Sequence, residues 1–388
     1  MSTSYLAKHV EELKPSGIRK FFDLASKMEN VISLGVGEPD FVTPWNVIEA
    51  SYHSLEQGYT AYTANAGLLE LREEISKYLY DTFSLRYNPE NQLLVTVGAS
   101  QAIDLALRAI IDQGDEVIVV EPCFVSYSPA VSLAGGVPVT VSATAENEFK
   151  VLPEQVEAAI TARTKAIVLC SPNNPTGTVL SERELAGISE VVKKHDLLVL
   201  SDEIYAELSY DEMATSIAAV EGMIERTVVI SGFSKSFAMT GWRLGYAAGP
   251  VEIIEAMTKI HQYTMMCAPT MAQHGALEAL RNGNESVREM KTSYKQRRNF
   301  VVKALNEMGL SCHLPGGAFY VFPSIKETGY SSEEFAQKLL EEERVAVVPG
   351  HVFGDSGEGY IRCSYATSIK QLDEAMKRMS RFVQKHCK

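Results

Sequence analysis

Lys235 closes the small-residue stretch Ser231-Gly232-Phe233-Ser234, and Arg243 follows eight residues later. Asp202-Glu203-Ile204-Tyr205 sets a carboxylate and a phenol three residues apart. Ser171-Pro172-Asn173-Asn174-Pro175-Thr176-Gly177 reads as a rigid loop carrying side-chain amides. Gly98-Ala99-Ser100-Gln101 reads as a small-residue turn entering a helix. Free backbone N–H groups and the positive end of the helix dipole at such a turn favour a phosphate. Each piece alone has a plainer reading: a strand-end Asp often caps a loop, a loop Lys is often solvated, and Asn, Pro and Gly dominate turns. The set combines a phosphate cradle, an amide, a carboxylate, a phenol, an amine and a guanidinium. That is the equipment of one chemical site.

The elements that must position these groups are short apolar runs, four of which end at a motif: Leu93–Val97, Val117–Val120, Val137–Val141, Ala166–Cys170, Leu197–Ser201 and Val228–Ser231. Their Val, Ile and Leu lack in/out alternation, which suits strands covered on both faces. Helix-length amphipathic segments separate several of them, among them Ala102–Ile111. Ser181 with Glu184 has capping-box spacing, and Pro153 suits a first helical turn. Alternation of this kind predicts a doubly wound, mostly parallel α/β domain, whose ligands bind outside the carboxyl ends of the strands. The pattern changes after about residue 280, in line with a soft prior of two or three domains. Helix Lys291–Met308, strand Phe319–Phe322, helix Ser332–Glu341, strands Ala346–Val348 and Tyr360–Ser364, and a helix from Gln371 follow. Ser331/Glu334 and Ser368/Gln371 repeat the cap spacing. The expected organisation is an N-terminal segment 1–45 packed with the smaller unit, a large α/β domain 46–280, and a small α+β domain 281–388.

Composition narrows the function classes. With 36 Lys+Arg against 49 Asp+Glu the net charge is −13, which argues against a nucleic-acid or anionic-membrane surface. No apolar run approaches the roughly 18 residues of a membrane span, and the first ten residues lack a secretion-signal pattern. A soluble, cytosolic protein is expected. Six scattered cysteines (123, 170, 267, 312, 363 and 387) show no Cys-x-x-Cys, and the eight histidines show no His-Glu-x-x-His, so no metal site is expected. Cys170 closes a strand-like run, where packing is the expected role. Gly354-Asp355-Ser356-Gly357 resembles a serine-protease motif but sits between two late strands and reads as a turn. A nicotinamide fold would need Gly-x-Gly-x-x-Gly after the first strand, and that turn has one glycine.

The stretches SLGVGEPDFVTP, YTANAGLLELREEI, VTVGASQA, SPNNPTG, SDEIYAEL, SGFSKSFAMTGWRLGY and YIRCSYA span residues 33 to 366. In that order they resemble the fold-type-I, pyridoxal-phosphate-dependent aminotransferases of class I/II, in particular the prokaryotic aspartate and aromatic amino-acid branch. The resemblance implies that Lys235 carries the cofactor as a Schiff base, which only an amine can form, and then shuttles a proton. It implies that Asp202 pairs with the pyridine nitrogen, and that Tyr205 and Asn174 hydrogen-bond the ring 3′-oxygen. Phe124, in EPCFVSY, matches an aromatic ring stacked on the cofactor; core packing is its alternative. The phosphate would lie on the backbone of Ala99 and Ser100, with Arg243 as a forked partner. Gly232 stands where some members carry a phosphate-binding Ser, and Ser234 or Ser231 is the candidate replacement. Arg362 matches the clamp on the substrate α-carboxylate, and Gly37 would let backbone approach the same group.

Tyr62 matches a residue that crosses to the neighbour's cofactor phosphate in family dimers, and Tyr263 falls near a partner-supplied segment. Interface filling is the alternative for both. A two-fold homodimer with shared sites is therefore implied. The implied reaction moves the amino group of an L-amino acid, aromatic or aspartate-like, to a 2-oxo acid, with 2-oxoglutarate the family's usual acceptor, by a ping-pong cycle. The groups expected around the substrate side chain, near Ile18 and Phe124, favour bulky or aromatic amino acids, and no second cation can be assigned to a distal carboxylate. A β-lyase on the same cofactor and a non-catalytic regulator on the same fold are the alternatives.

Overall fold

The computed structural model describes residues 5–13, 15, 17, 26 and 28–386. Ile18, expected near the substrate side chain, and Cys387 lie outside the described residues. The strands are β1 (Ile32–Ser33), β2 (Leu93–Thr96), β3 (Glu116–Glu121), β4 (Val137–Ser142), β5 (Thr164–Cys170), β6 (Leu198–Asp202), β7 (Thr227–Gly232) and β8 (Gly245–Ala248). They continue as β9 (Tyr320–Val321), β10 (Val345–Ala346), β11 (Val348–Pro349) and β12 (Ile361–Ser364). A seven-stranded sheet runs in the order β2-β8-β7-β6-β5-β3-β4, parallel except at β8, which pairs antiparallel with both neighbours. Six of these strands coincide with the apolar runs of the sequence. β8 is not among those runs, because Gly-Tyr-Ala-Ala is short and carries little apolar bulk.

Coverage on both faces explains the missing alternation. Val117, Val119, Ala166, Val168 and Leu200 pack on one side with the helices Gly98–Ile110 and Val251–Thr264. Ile118, Ile167, Leu169 and Val199 pack on the other with helix Glu182–Lys194. Each such side chain is worth about 1.5–3 kcal/mol when fully buried, so both faces favour Val, Ile and Leu. The doubly wound α/β architecture is thus realised. Ser181 accepts from Glu184 N–H as part of a reciprocal capping box, and Ser331 does the same with Glu334. At Ser368 half of the box forms: Gln371 N–H donates to Ser368 Oγ at 3.3 Å, while the Gln371 side chain accepts from Thr367.

Helices Trp45–Glu56, Leu69–Phe83 and Thr270–Asn282 also pack on the large sheet, and the C-terminal elements with β1 form a second unit. β11-β12-β9 make an antiparallel sheet, flanked by helices Asn284–Glu307, Ser332–Glu343 and Ile369–His386. β1 pairs in parallel with β10, and Leu34 lies in the same core as Tyr294, Phe319, Phe335 and Phe382. The run read as one strand over Ala346–Val348 is two pieces, because β10 pairs with β1 whereas β11 pairs with β12. The long helix starts at Asn284 rather than Lys291. Among the described residues no helix is long and apolar enough to cross a membrane, and no cluster of three or more His, Cys, Asp or Glu could hold a metal.

Candidate active site

The carboxyl ends of β2, β5, β6 and β7 open on one cavity of about 790 Å³. Among its lining residues are Lys235, Asp202, Tyr205, Asn174, Arg243 and Arg362. Parallel strands bring Asn174, Asp202, Tyr205 and Lys235 to one edge, as the strand-end rule requires, while Arg362 comes from β12 of the smaller sheet and Arg243 from the turn before β8.

Lys235 follows β7 and donates from Nζ to the Gly37 carbonyl at 2.6 Å. Burial pushes its amine down to about 8, opposed by Glu38 and assisted by the positive charges of Arg362 and Arg243. The neutral, nucleophilic form is therefore within reach near neutrality. Asp202, at the end of β6, accepts from the Tyr127 hydroxyl at 2.6 Å through Oδ2 and from Ile204 N–H at 3.2 Å through Oδ1. Burial raises its pKa, while the Tyr127 and Ile204 hydrogen bonds and the charge of Lys235 oppose the rise. A cation placed against Asp202 would find a partner already oriented.

Arg362, on β12, is 3% exposed. It donates from Nη1 to Asn174 Oδ1 at 2.9 Å and from Nη2 to the Gly35 carbonyl at 2.6 Å. Its Nε is buried without a hydrogen-bond partner, a donor left over for an anion. The Tyr320 ring lies under the guanidinium, 4.5 Å from its centroid. Tyr320 follows from register: it pairs with Ser364 across β9–β12, so Arg362 is its diagonal neighbour on one face. The Tyr205 and Tyr320 hydroxyls are 2.9 Å apart.

At the other end, Gly98 begins the helix, so Ala99 and Ser100 occupy its first turn rather than a turn before it. Their N–H groups remain among the unpaired donors of a helix start. Gly98 has φ +76° and a Cβ there would sit 2.7 Å from Arg243 Nη2, so only glycine admits the guanidinium this close. Arg243 donates to the Thr240 carbonyl at 3.0 Å. Ser234 lines the cavity with them. Ser231 does not, since its hydroxyl donates to the Glu203 carbonyl at 3.3 Å. Gly232 cannot be a serine: a Cβ would lie 2.8 Å from Gly245 Cα and 2.9 Å from the Leu244 carbonyl.

Phe124 and Gly37 line the cavity, with Phe124 edge-on to Tyr127 at 5.7 Å. Tyr62 and Tyr263 do not line it and are 77% and 83% exposed. Sequence reasoning missed Tyr127, Tyr320 and Glu38. Tyr127 had a signal, since it stands three residues beyond Phe124, and the turn closed by Tyr127 N–H on the Phe124 carbonyl at 3.2 Å brings both to the cavity. Tyr320 had none beyond sitting in an apolar strand. Cys170 is packed as expected, yet it also touches the cavity, and burial pushes its thiol up.

Residues 29–379 match the family described as Aminotransferase class I and II. The chain is similar to a putative aminotransferase, YugH, of Bacillus subtilis, at 68% identity over 99% of each chain. It is 46% identical to aromatic-amino-acid aminotransferase 2 of Thermococcus litoralis, over 97% of each. The solved structure of Thermus thermophilus aspartate aminotransferase with maleate superposes with a TM-score of 0.93 at 40% identity, covering 98% of this chain and 100% of that one.

Proposed function

The chain belongs to the class I and II aminotransferases, and from that premise we propose that it moves the amino group of an aromatic or aspartate-like L-amino acid to a 2-oxo acid, 2-oxoglutarate foremost, in a ping-pong cycle. Enzymes of this class depend on pyridoxal 5′-phosphate, and the cavity fits that group on its own chemistry. It offers a depressed amine, a buried carboxylate, a helix start beside an arginine, and a second arginine with a spare buried donor. When bound, the cofactor supplies a carbonyl that captures amines and a ring that accepts the electrons released at the substrate Cα.

In this reading Lys235 would tether the cofactor through its amine and would take and return the proton at the substrate Cα. Asp202, kept in place by Tyr127, holds a proton on the pyridine nitrogen. Tyr205 and Asn174 address the ring 3′-oxygen, and Phe124 offers its ring face. Ala99, Ser100, Ser234 and Arg243 take the phosphate. Arg362 and Gly37 orient the substrate α-carboxylate, so that the Cα–H bond is presented to Lys235. The cations lining the cavity, among the described residues, are Lys235, Arg243 and Arg362. Each has a role already, which supports an aromatic or bulky side chain over a second carboxylate. The exposed Tyr62 and Tyr263 support a homodimer in which each reaches the neighbouring protomer. Divisions near residues 45 and 280 complete the scheme, the N-terminal β1 joining β10 of the small unit.

The observation that carries the reading is Arg362, buried and braced by Asn174 and Gly35 in one cavity wall with Lys235 and Asp202. Purified holoenzyme is offered each standard L-amino acid with 2-oxoglutarate, and glutamate is measured. Phenylalanine, tyrosine or aspartate should give the highest rates. Ammonia and pyruvate in place of glutamate would move the assignment to β-elimination, and no turnover with any donor would overturn it.

A further inference from the structure

Tyr320 is 1% exposed, yet it sits at a junction of the site. Its hydroxyl lies 2.9 Å from that of Tyr205, its ring lies under Arg362, and both tyrosines line the cavity. Two facing hydroxyls share one hydrogen bond, so one of the two protons lies between the oxygens and the other is free to point elsewhere. We propose that Tyr320 is a positioning residue that donates its proton to Tyr205, so that the Tyr205 proton is turned into the cavity toward the cofactor 3′-oxygen. The inference rests on the role given to Tyr205 above.

Three observations favour this polarity. Arg362 is a donor on every nitrogen and offers the Tyr320 proton no acceptor, which leaves Tyr205 as its hydrogen-bond partner. The same cation makes Tyr320 the readier donor, since the charge of Arg362 opposes the rise that burial imposes on its phenol. For Tyr205 the same charge ranks behind burial and Tyr320, which together push its pKa well up and leave it the weaker acid of the two. A hydroxyl that accepts one hydrogen bond becomes a better donor in the next, by about 10–30%. Tyr205 is thereby held in one orientation and strengthened as a donor. Arg362 thus acts on the ring end of the site through Tyr320, while its own nitrogens serve the carboxylate end.

A donor to the 3′-oxygen favours the oxyanion, and therefore the deprotonated form of the bound chromophore. Removing that donor must raise the protonation midpoint seen in the visible spectrum. Tyr320→Phe keeps the ring under Arg362 and deletes one oxygen, and a melting temperature within a few degrees of wild type certifies the fold. In pH titrations of holoenzyme absorbance, Tyr205→Phe should raise the midpoint by about one unit and Tyr320→Phe by about half a unit. In the double variant, Tyr320→Phe should add nothing to Tyr205→Phe. A shift with Tyr205→Phe but none with Tyr320→Phe would overturn the inference while leaving the Tyr205 role intact. No shift with either would overturn both. Fully additive shifts would overturn it as well, by showing that Tyr320 acts without Tyr205. Should Tyr320→Phe fail to fold, Tyr320→Leu, which also lacks a donor, is titrated in the same way, with the same outcomes.

Discussion

Asp202 and Glu203 are adjacent carboxylates at the end of one strand, and they serve opposite sides of the sheet. Both are buried, at 5% and 4% exposure. Asp202 opens on the cavity, held by Tyr127 and within the field of Lys235. Glu203 points into a sealed polar pocket, where the hydroxyls of Ser201 and Ser216 donate to its Oε1 at 2.8 and 2.6 Å. Close by, Tyr78 donates to the half-buried Glu207. Burial pushes Glu203 up to about 7; the two hydroxyls oppose this and the nearby charges of Glu207 and Asp202 add to it. A buried carboxylate keeps its charge more readily where a cation adds to the oriented donors, and tends to keep its proton where neighbouring carboxylates take the cation's place. One side of the strand is built for chemistry on an ionised group. The other is built for a neutral one.

The comparison breaks most readily at the cation on the cavity side. Lys235→Ala removes the only amine lining the cavity among the described residues. Turnover should fall by about 10⁴-fold or more, and borohydride treatment should no longer fix the cofactor to the chain. Persistent covalent labelling would place the reactive amine elsewhere. Next in size is Asp202→Asn, which preserves shape and an acceptor for Tyr127 but removes the charge. It should lower kcat by about 10²–10⁴-fold while leaving the cofactor bound. Wild-type turnover in this variant would mean that the two neighbouring carboxylates do not differ in kind.

Much of this architecture is legible in the amino-acid sequence. β2, β3, β5, β6 and β7 declare themselves because burial on both faces demands continuous Val, Ile and Leu, whereas the edge strand β4 is largely exposed and shows only as a β-branched run. Parallel order then sends the residues after each run to one edge, which is why Lys235, Asp202, Asn174 and Arg243 group together from sequence. What stays hidden depends on pairing between distant elements. Tyr320 looks like any apolar strand residue until register sets it diagonally across from Arg362. The division of 346–348 into two strands follows from their two different partners. Gly98 reads as a turn residue because glycine has weak helix propensity, yet the helix starts there, where the missing Cβ leaves room for Arg243. The split between Asp202 and Glu203 is a matter of strand alternation. Alternation alone shows the two faces, but the sealed pocket that makes them matter comes from Ser216, on a separate turn.

The smallest effect is the sharpest test of the sealed side. Glu203→Gln should change kcat by less than about twofold, since the side chain faces away from the cavity. Its signature is in stability against pH. An unfolded glutamate titrates at its ordinary 4.5, whereas the folded Glu203 holds its proton up to about 7. Between those values the folded state binds a proton that the unfolded state has released, so stability declines as pH rises through the window. The contribution is complete below about 4.5 and gone above about 7. Glutamine carries no such dependence. Urea midpoints of wild type and Glu203→Gln should therefore agree near pH 4.5 and separate toward pH 8. There the variant should be the more stable, by at most about 3 kcal/mol. A gap that is constant with pH, or one that favours wild type at pH 8, would mean that Glu203 is ionised in the folded protein. The sealed pocket would then hold a charge after all, as the cavity side does.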